Sequence, residues 1–320
     1  MRAAVVTAFG DPGVLQVVER DPPVPGAGEL LVRIEACGLN WSDLLQRAGH
    51  YPGGPTPPFV AGQEAAGIVV GHGAGVSAPP LGTAVSAIAA SGLCAEYAVV
   101  PATACFALPG PAEHRAALPI ALVTAYTALA IAGRAVSGEV AVVHAAGGGL
   151  GTIALQIARR LALRTIATCS PAKRERVAAL GADRVCGYDE FTAAARALGG
   201  ADLVLDSIGG GVFRRSCDVV RSPGRIVVVG CTSGEPQRVD AVKLVHRSIA
   251  VIGWHLRAVL ARPELLGATV ATCTPWLVDG SVQPCIARTL PLADIRAAHE
   301  LLASRQALGK IIVIPSPLPS

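Results

Sequence analysis

Charge is scarce in this 320-residue chain: Asp, Glu, Lys and Arg make up 16% of it, and 27 cations against 23 acids leave a net charge of +4. No cluster of Lys and Arg interrupts that thin spread, and basic residues do not alternate with aromatic ones, which argues against nucleic acid as a partner. Long hydrophobic runs are also missing. No purely apolar stretch reaches the roughly eighteen residues of a membrane helix, so no membrane association is expected. The nine cysteines are odd in number, and no two stand in a C-x-x-C pair. That excludes a disulfide framework or a cysteine-rich zinc lobe as a reading and points to a reducing compartment, the cytoplasm. The opening Met1–Thr7 lacks the apolar stretch of a secretory signal and reads as a first strand. What is abundant is apolar residue (52%) and glycine (36 residues), the composition of buried sheet rather than of disorder. The length allows two domains with cores of their own.

The texture of the chain changes near Ala116. Before it, short strands are punctuated by Gly and Pro. Leu30–Ala36 alternates like a half-buried strand, Asn40–Ala48 is a short helical turn, and 51–58 is a proline-rich loop. Gly67–Gly71 and Glu96–Val100 read as further strands. After it, strands at Val140–His144, Arg164–Thr168, Leu203–Asp206, Arg225–Gly230 and Ile249–Gly253 alternate with helices expected at 150–161, 171–180 and 211–220. That alternation predicts an α/β fold, a doubly wound parallel sheet beside a mostly β unit. The tail, Ile295–Ala303 then Lys310–Ile314, reads as a helix and a closing strand that return to the first unit. The expected domains are 122–262 for the nucleotide unit, and 1–121 with 263–320 for the other.

Between the Val140–His144 strand and the following helix lies Ala145-Ala146-Gly147-Gly148-Gly149-Leu150-Gly151. Ala146, Gly148, Gly149, Leu150 and Gly151 form a dinucleotide fingerprint, in which glycines let a pyrophosphate approach backbone N–H groups at a helix N-terminus. Alone, such a turn also reads as tight helix–strand packing; the strand before it and the strand after the helix decide for the cofactor. An NAD site usually places an acid about 20 residues past the glycines, on the ribose 2′-hydroxyl. Here the stretch is Thr168-Cys169-Ser170-Pro171-Ala172-Lys173-Arg174, with a hydroxyl and two cations and no acid. A 2′-phosphate attracts such donors, so NADPH is the expected cofactor. The alternative for Lys173 and Arg174 is a solvated helix face.

Two further stretches carry a family resemblance, Cys37-Gly38-Leu39-Asn40-Trp41-Ser42-Asp43 and Gly62-Gln63-Glu64, together with scattered pieces such as Arg47-x-Gly49-x-Tyr51-Pro52, Thr124-Ala125-Tyr126, Asp206-x-x-Gly209-Gly210 and Gly309-Lys310. They resemble the medium-chain dehydrogenase/reductase superfamily, and within it the zinc-free quinone oxidoreductase branch that includes the ζ-crystallins. The resemblance implies a Rossmann domain plus a GroES-like catalytic domain. Zinc enzymes of that superfamily carry Cys where Asn40 stands and His where Gln63 stands. Amides are poor zinc ligands, so no metal is expected. The resemblance places Asn40 and Tyr51 along the nicotinamide and substrate cleft, and Thr124 and Tyr126 beside the nicotinamide. It sets Ser170, Lys173 and Tyr188 around the 2′-phosphate, with Arg174, Gly230 and Lys310 added to the cofactor set. Leu45 stands where some members have a second active-site tyrosine. Tyr51 between turn residues can also simply pack under its loop. A homodimer is implied, with the sheet edge near Ile226–Val229 pairing across a two-fold axis.

Chemistry narrows the substrate. Hydride addition to a simple ketone builds an alkoxide with a pKa of roughly 16, which a metal can stabilise. Addition to a quinone or to the β-carbon of an enone builds a delocalised oxyanion, and a phenolic oxygen titrates near ~10. A few hydrogen bonds hold such an anion. The expected reaction is NADPH-dependent reduction of a quinone or α,β-unsaturated carbonyl, with Asn40, Tyr51 and Thr124 as catalytic candidates and cofactor and substrate meeting between the domains. Alternatives are an enoyl-thioester or polyketide enoyl reductase, and a non-catalytic NADPH-binding protein.

Overall fold

A computed structural model describes residues 1–315. The chain divides into two units, Met1–Ile120 with Pro284 onward, and Ala121–Gln283.

The first unit is built on antiparallel strands. Its spine is the long strand Glu29–Leu39, whose inward positions alternate until both faces are covered near its end. Glu64–His72 pairs antiparallel along it, Ala84–Ile88 pairs with Glu64–His72, and Tyr97–Pro101 pairs with its first half. From the far end of the chain, Lys310–Ile314 pairs with the last turn of the spine, with Ile311 opposite Leu39 and Ile312 opposite Gly38. Ile286–Pro291 runs parallel beside it. Leu30, Val32, Val69, Val100, Ile311 and Val313 are fully buried in the resulting core. The helix Trp41–Arg47 follows the spine at once, and the helix Ile295–Ala303 buries Ile295, Ala298 and His299.

The second unit is a six-stranded sheet, parallel throughout. In space the strands run Arg184–Cys186, Arg164–Thr168, Val140–Val143, Ala201–Asp206, Val220–Val228, Ile249–Gly253. Numbered along the unit this is the order 3-2-1-4-5-6 of a Rossmann fold, whose strand order reverses between the first and fourth strands. The central strands are continuous apolar runs because helices cover both faces: all four residues of Val140–Val143 are buried. The helix Gly149–Arg160 buries every residue from Gly151 to Ala158.

Two expectations need correction. The stretch Ile226–Val229 is not at the edge of the sheet. Ile226, Val227 and Val228 pair with Val204, Leu205 and Asp206 on one side and with Val251, Ile252 and Gly253 on the other. Among the described residues the outer strand there is Ile249–Gly253, which lies beside Val220–Val228 and takes over the edge. The unit boundary also falls at 284 rather than 263. The helix Pro263–Val278 belongs to the nucleotide unit, where Trp276 meets the Tyr126 ring at 5.9 Å and lies under the Arg160 guanidinium at 5.5 Å.

A buried histidine fastens the sheet of this unit at its functional end. His144 follows the first strand; its Nε2–H donates to Ser216 Oγ (2.8 Å), and its Nδ1 accepts from Thr168 Oγ1 (2.9 Å). The tautomer follows from Ser216, whose hydroxyl proton goes to the Val212 carbonyl at 3.0 Å. Phe191 stands edge-on to the imidazole at 4.8 Å. Burial, with Arg215 nearby, pushes the His144 pKa down from 6.5 to about 3. The unfolded chain therefore takes up a proton that the folded one refuses, so this contribution is intact above pH ~6.5 and is lost as pH falls towards ~3. By about pH 5 the loss amounts to ~2 kcal/mol. Urea unfolding of the wild type and of His144→Gln at about pH 7 and 5 checks this: the variant should show the flatter acid dependence by about that amount.

Candidate active and cofactor sites

In the second unit the glycine turn is shaped by backbone crowding. Ala145 adopts a left-handed φ of 51°, and the chain turns so tightly that a Cβ on Gly151 would lie 2.3 Å from the Ala145 carbonyl oxygen and 2.6 Å from Ala146 Cα. Gly148 is the N-cap of the helix Gly149–Arg160 and supplies no side-chain cap. The first N–H groups of that helix, including those of Gly149, Leu150 and Gly151, thus face the turn without a side chain of the cap residue to bind them. Ala146 is fully buried beneath.

The next strand ends at Thr168, and Cys169 N–H donates to the Cys186 carbonyl (3.2 Å), fastening two strand ends together. Ser170 starts the turn Pro171–Lys173, and Tyr188 follows the neighbouring strand. The four predicted residues Ser170, Lys173, Arg174 and Tyr188 therefore gather at one end of the sheet. Lys173 lies across the glycine turn: a Cβ on Gly147 would meet its Cδ at 2.7 Å. Partial burial lowers its pKa, with the Cys169 thiol opposing. Arg174 turns to Glu190, with Nη2 to Oε1 at 2.8 Å, while Glu190 also accepts from Gly187 N–H. Gly230 lies past the Val220–Val228 strand, where its carbonyl accepts from Gln237 Nε2 at 2.8 Å. Thr124 is buried and Tyr126 half-buried near the end of the helix Pro119–Tyr126, which passes into a wider turn over Thr127–Ala132. A phosphorylated dinucleotide suits this set: an uncapped helix start, a cation over the glycines and no carboxylate at the second strand end.

In the first unit Asn40 is the N-cap of the helix Trp41–Arg47. Its Nδ2 donates to Glu64 Oε1 (2.8 Å) and its Oδ1 accepts from Lys310 Nζ (2.8 Å). Lys310 also forms an ion pair with Glu64, and Glu64 Oε2 accepts Ile120 N–H at 2.7 Å. Gln63 accepts a short hydrogen bond from Ser42 Oγ. Asp43 Oδ2 accepts the Asn40 backbone N–H at 2.7 Å, while Oδ1 is buried without a partner. Burial raises the Asp43 pKa to about 7, against that hydrogen bond and the pull of Lys310. Tyr51 is half-buried in the loop beyond the helix. Among the described residues no group of three or more His, Cys, Asp and Glu is placed to hold a metal ion. In the sequence Asn40 and Lys310 stand out as separate site residues, and Asp43 and Glu64 only as members of the stretches that carry the family resemblance; the link through Glu64 is not visible there.

Residues 26–110 match the alcohol dehydrogenase GroES-like domain family, and residues 180–313 match the zinc-binding dehydrogenase family. A probable quinone oxidoreductase of Schizosaccharomyces pombe is 30% identical over 97% of this chain and 95% of its own length. The chain belongs to the zinc-independent quinone oxidoreductase branch of the medium-chain dehydrogenases/reductases. The human synaptic vesicle membrane protein VAT-1 homolog is also 30% identical, over 99% of this chain and 87% of that protein. Among solved structures, the Escherichia coli quinone oxidoreductase complexed with NADPH superposes with a TM-score of 0.92 at 29% identity, covering 98% of this chain and all of that one. The mostly β first unit is thus the GroES-like domain of this oxidoreductase branch, and the parallel sheet its Rossmann partner. No helix among the described residues is long and apolar enough to cross a membrane.

Proposed function

We infer that this protein is an NADPH-dependent reductase of quinones or α,β-unsaturated carbonyls. The observation that carries the reading is the Asn40 amide, held between Lys310 and Glu64 at the position where zinc relatives have a thiolate. A neutral hydrogen-bond donor suits an oxygen whose charge is already delocalised over a conjugated system. The pyrophosphate is assigned to the Gly148–Gly151 turn, the 2′-phosphate to Ser170, Lys173 and Tyr188 with Arg174 at their margin, and the nicotinamide end to Thr124 and Tyr126, with Gly230 along the same strand ends. When bound, NADPH supplies the hydride. Asn40 orients the acceptor oxygen, and Tyr51 donates the proton that completes the reduction. Two copies are assigned to a homodimer: the edge strand Ile249–Gly253 is unpaired on its outer side among the described residues, and the exposed Val242 and Val245 stand on the helix just before it.

Stopped-flow mixing with NADPH and a panel of quinones, enones and crotonyl-thioester tests the assignment. Rapid loss of NADPH absorbance with quinones or enones is expected. Faster turnover of the thioester would move the protein to enoyl-thioester reduction, and no oxidation by any acceptor would overturn the reading. Light scattering during size exclusion checks the dimer.

A further inference from the structure

Lys310 stands opposite Asn40 because of strand register. Lys310–Ile314 pairs antiparallel with the spine at Ile311–Leu39 and Ile312–Gly38, so the next step outward sets Lys310 against Asn40. On the other side of the spine, Gly38 pairs with Glu64. Glycine is required there: a Cβ on Gly38 would lie 2.7 Å from Glu64 Oε1 and 2.4 Å from the Ala116 carbonyl oxygen. Gly309 is equally constrained, with a φ of 87° and a Cβ position 2.1 Å from the Cys285 carbonyl oxygen, which also accepts the Lys310 N–H at 2.7 Å. Three neighbouring strands thus deliver an amide, a carboxylate and an ammonium to one point. The Lys310 side chain is 3% exposed and that of Glu64 fully enclosed.

We propose that Lys310 and Glu64 are positioning residues that clamp the Asn40 amide in one orientation and so direct its second N–H at the acceptor oxygen, a role resting on the assignment of Asn40 above. The orientation follows from chemistry. An ammonium has only donors and a carboxylate only acceptors, so Lys310 must take Oδ1 and Glu64 must take Nδ2. One N–H of Nδ2 is committed to Glu64, and the other is the only donor left. An unclamped amide can flip and present its oxygen to an oxyanion, which repels it. Two of the three N–H groups of the ammonium go to Asn40 and Glu64, and in this role Lys310 acts through Asn40.

The test uses Lys310→Met/Glu64→Gln, which removes both charges together and leaves neither buried alone. Thermal unfolding establishes that it folds, and Lys310→Arg serves as a charge-keeping companion. In Asn40→Ala, kcat with the best acceptor should fall about 10²-fold, the cost of losing one oxyanion donor. The double variant should approach that loss, its Kd for NADPH should stay within about threefold of wild type, and adding it to Asn40→Ala should cost nothing further. Multiplying effects, or an NADPH Kd that rises in step with the loss of kcat, would overturn the clamp. A readout free of turnover is the side-chain amide of Asn40 by NMR, assigned through Asn40→Ala: two widely separated N–H resonances are expected in the wild type, converging in the double variant. If the clamp shows by NMR but Asn40→Ala keeps wild-type kcat, the assignment of Asn40 fails and the positioning role with it. If the resonances are alike in both proteins, the clamp alone fails and the reductase reading stands.

Discussion

Gly151→Val should weaken NADPH binding by about 10²-fold or more and lower the melting temperature by several degrees. The glycine is not needed for its φ; it is needed because a Cβ there would meet backbone, the Ala145 carbonyl oxygen at 2.3 Å and Ala146 Cα at 2.6 Å. Backbone cannot rotate away as a side-chain tip can, so the start of the helix Gly149–Arg160 has to move off the Val140–Val143 strand. Overpacking of this kind costs about 1–3 kcal/mol of stability. Binding should suffer more, because the N–H groups that would face the pyrophosphate move with the helix. Losing two charge-assisted hydrogen bonds, each ~1.5–3 kcal/mol, amounts to about 10²-fold or more in Kd. Gly148→Ala is the milder comparison: its added Cβ meets one atom, the Ala145 carbonyl oxygen at 3.3 Å, which has to give by only a few tenths of an ångström, so this variant should lose much less stability than Gly151→Val and mainly show the crowding of the cofactor. Fluorescence titration with NADPH and a melting curve for each variant separate the two effects. Equal Kd values for wild type and Gly151→Val would remove the turn from the cofactor site.

The second large effect concerns the choice between cofactors. Lys173→Met keeps the stem that packs across Gly147 and removes the charge. The kcat/KM for NADPH should drop by about 10–100-fold, the worth of one charge-assisted contact to a phosphate, while that for NADH changes little. Arg174→Met should do less, because its guanidinium is already occupied by Glu190 at 2.8 Å. Steady-state kinetics with both cofactors on one acceptor decides the matter. A parallel fall for NADPH and NADH would mean that Lys173 supports the glycine turn and not the 2′-phosphate.

The parts of this protein that were legible in its sequence are those built from neighbours in the chain. Val140–Val143, the glycine turn and the helix Gly149–Arg160 are contiguous, and their strand–turn–helix order can be read without knowing anything distant. The cations after the Arg164–Thr168 strand were readable for the same reason. The helix Pro263–Val278 was harder to place because nothing local says which unit it joins; its Trp276 is settled by Tyr126 and Arg160, far back in the chain. The edge of the sheet is hidden in the sequence for a related reason. An apolar strand such as Ile226–Val228 reads the same with one neighbour or with two, and only the pairing of Ile249–Gly253 shows which. Least legible was the Lys310–Glu64 pair, whose partners are separated by 246 positions and are brought together only by the register of the strands between them.

The return of the last strand to the first unit sets an order of events on the ribosome. The Rossmann unit is one unbroken segment and has all its strands once Gln283 has emerged. The GroES-like unit is begun before the Rossmann unit yet lacks the strand Lys310–Ile314 until the Rossmann unit has been made. Domains that fold during synthesis generally do so from the N-terminus; here the second unit can finish before the first. Until then Glu64 is a carboxylate awaiting its counter-charge, and the nascent chain has a nucleotide fold before it has a complete catalytic one.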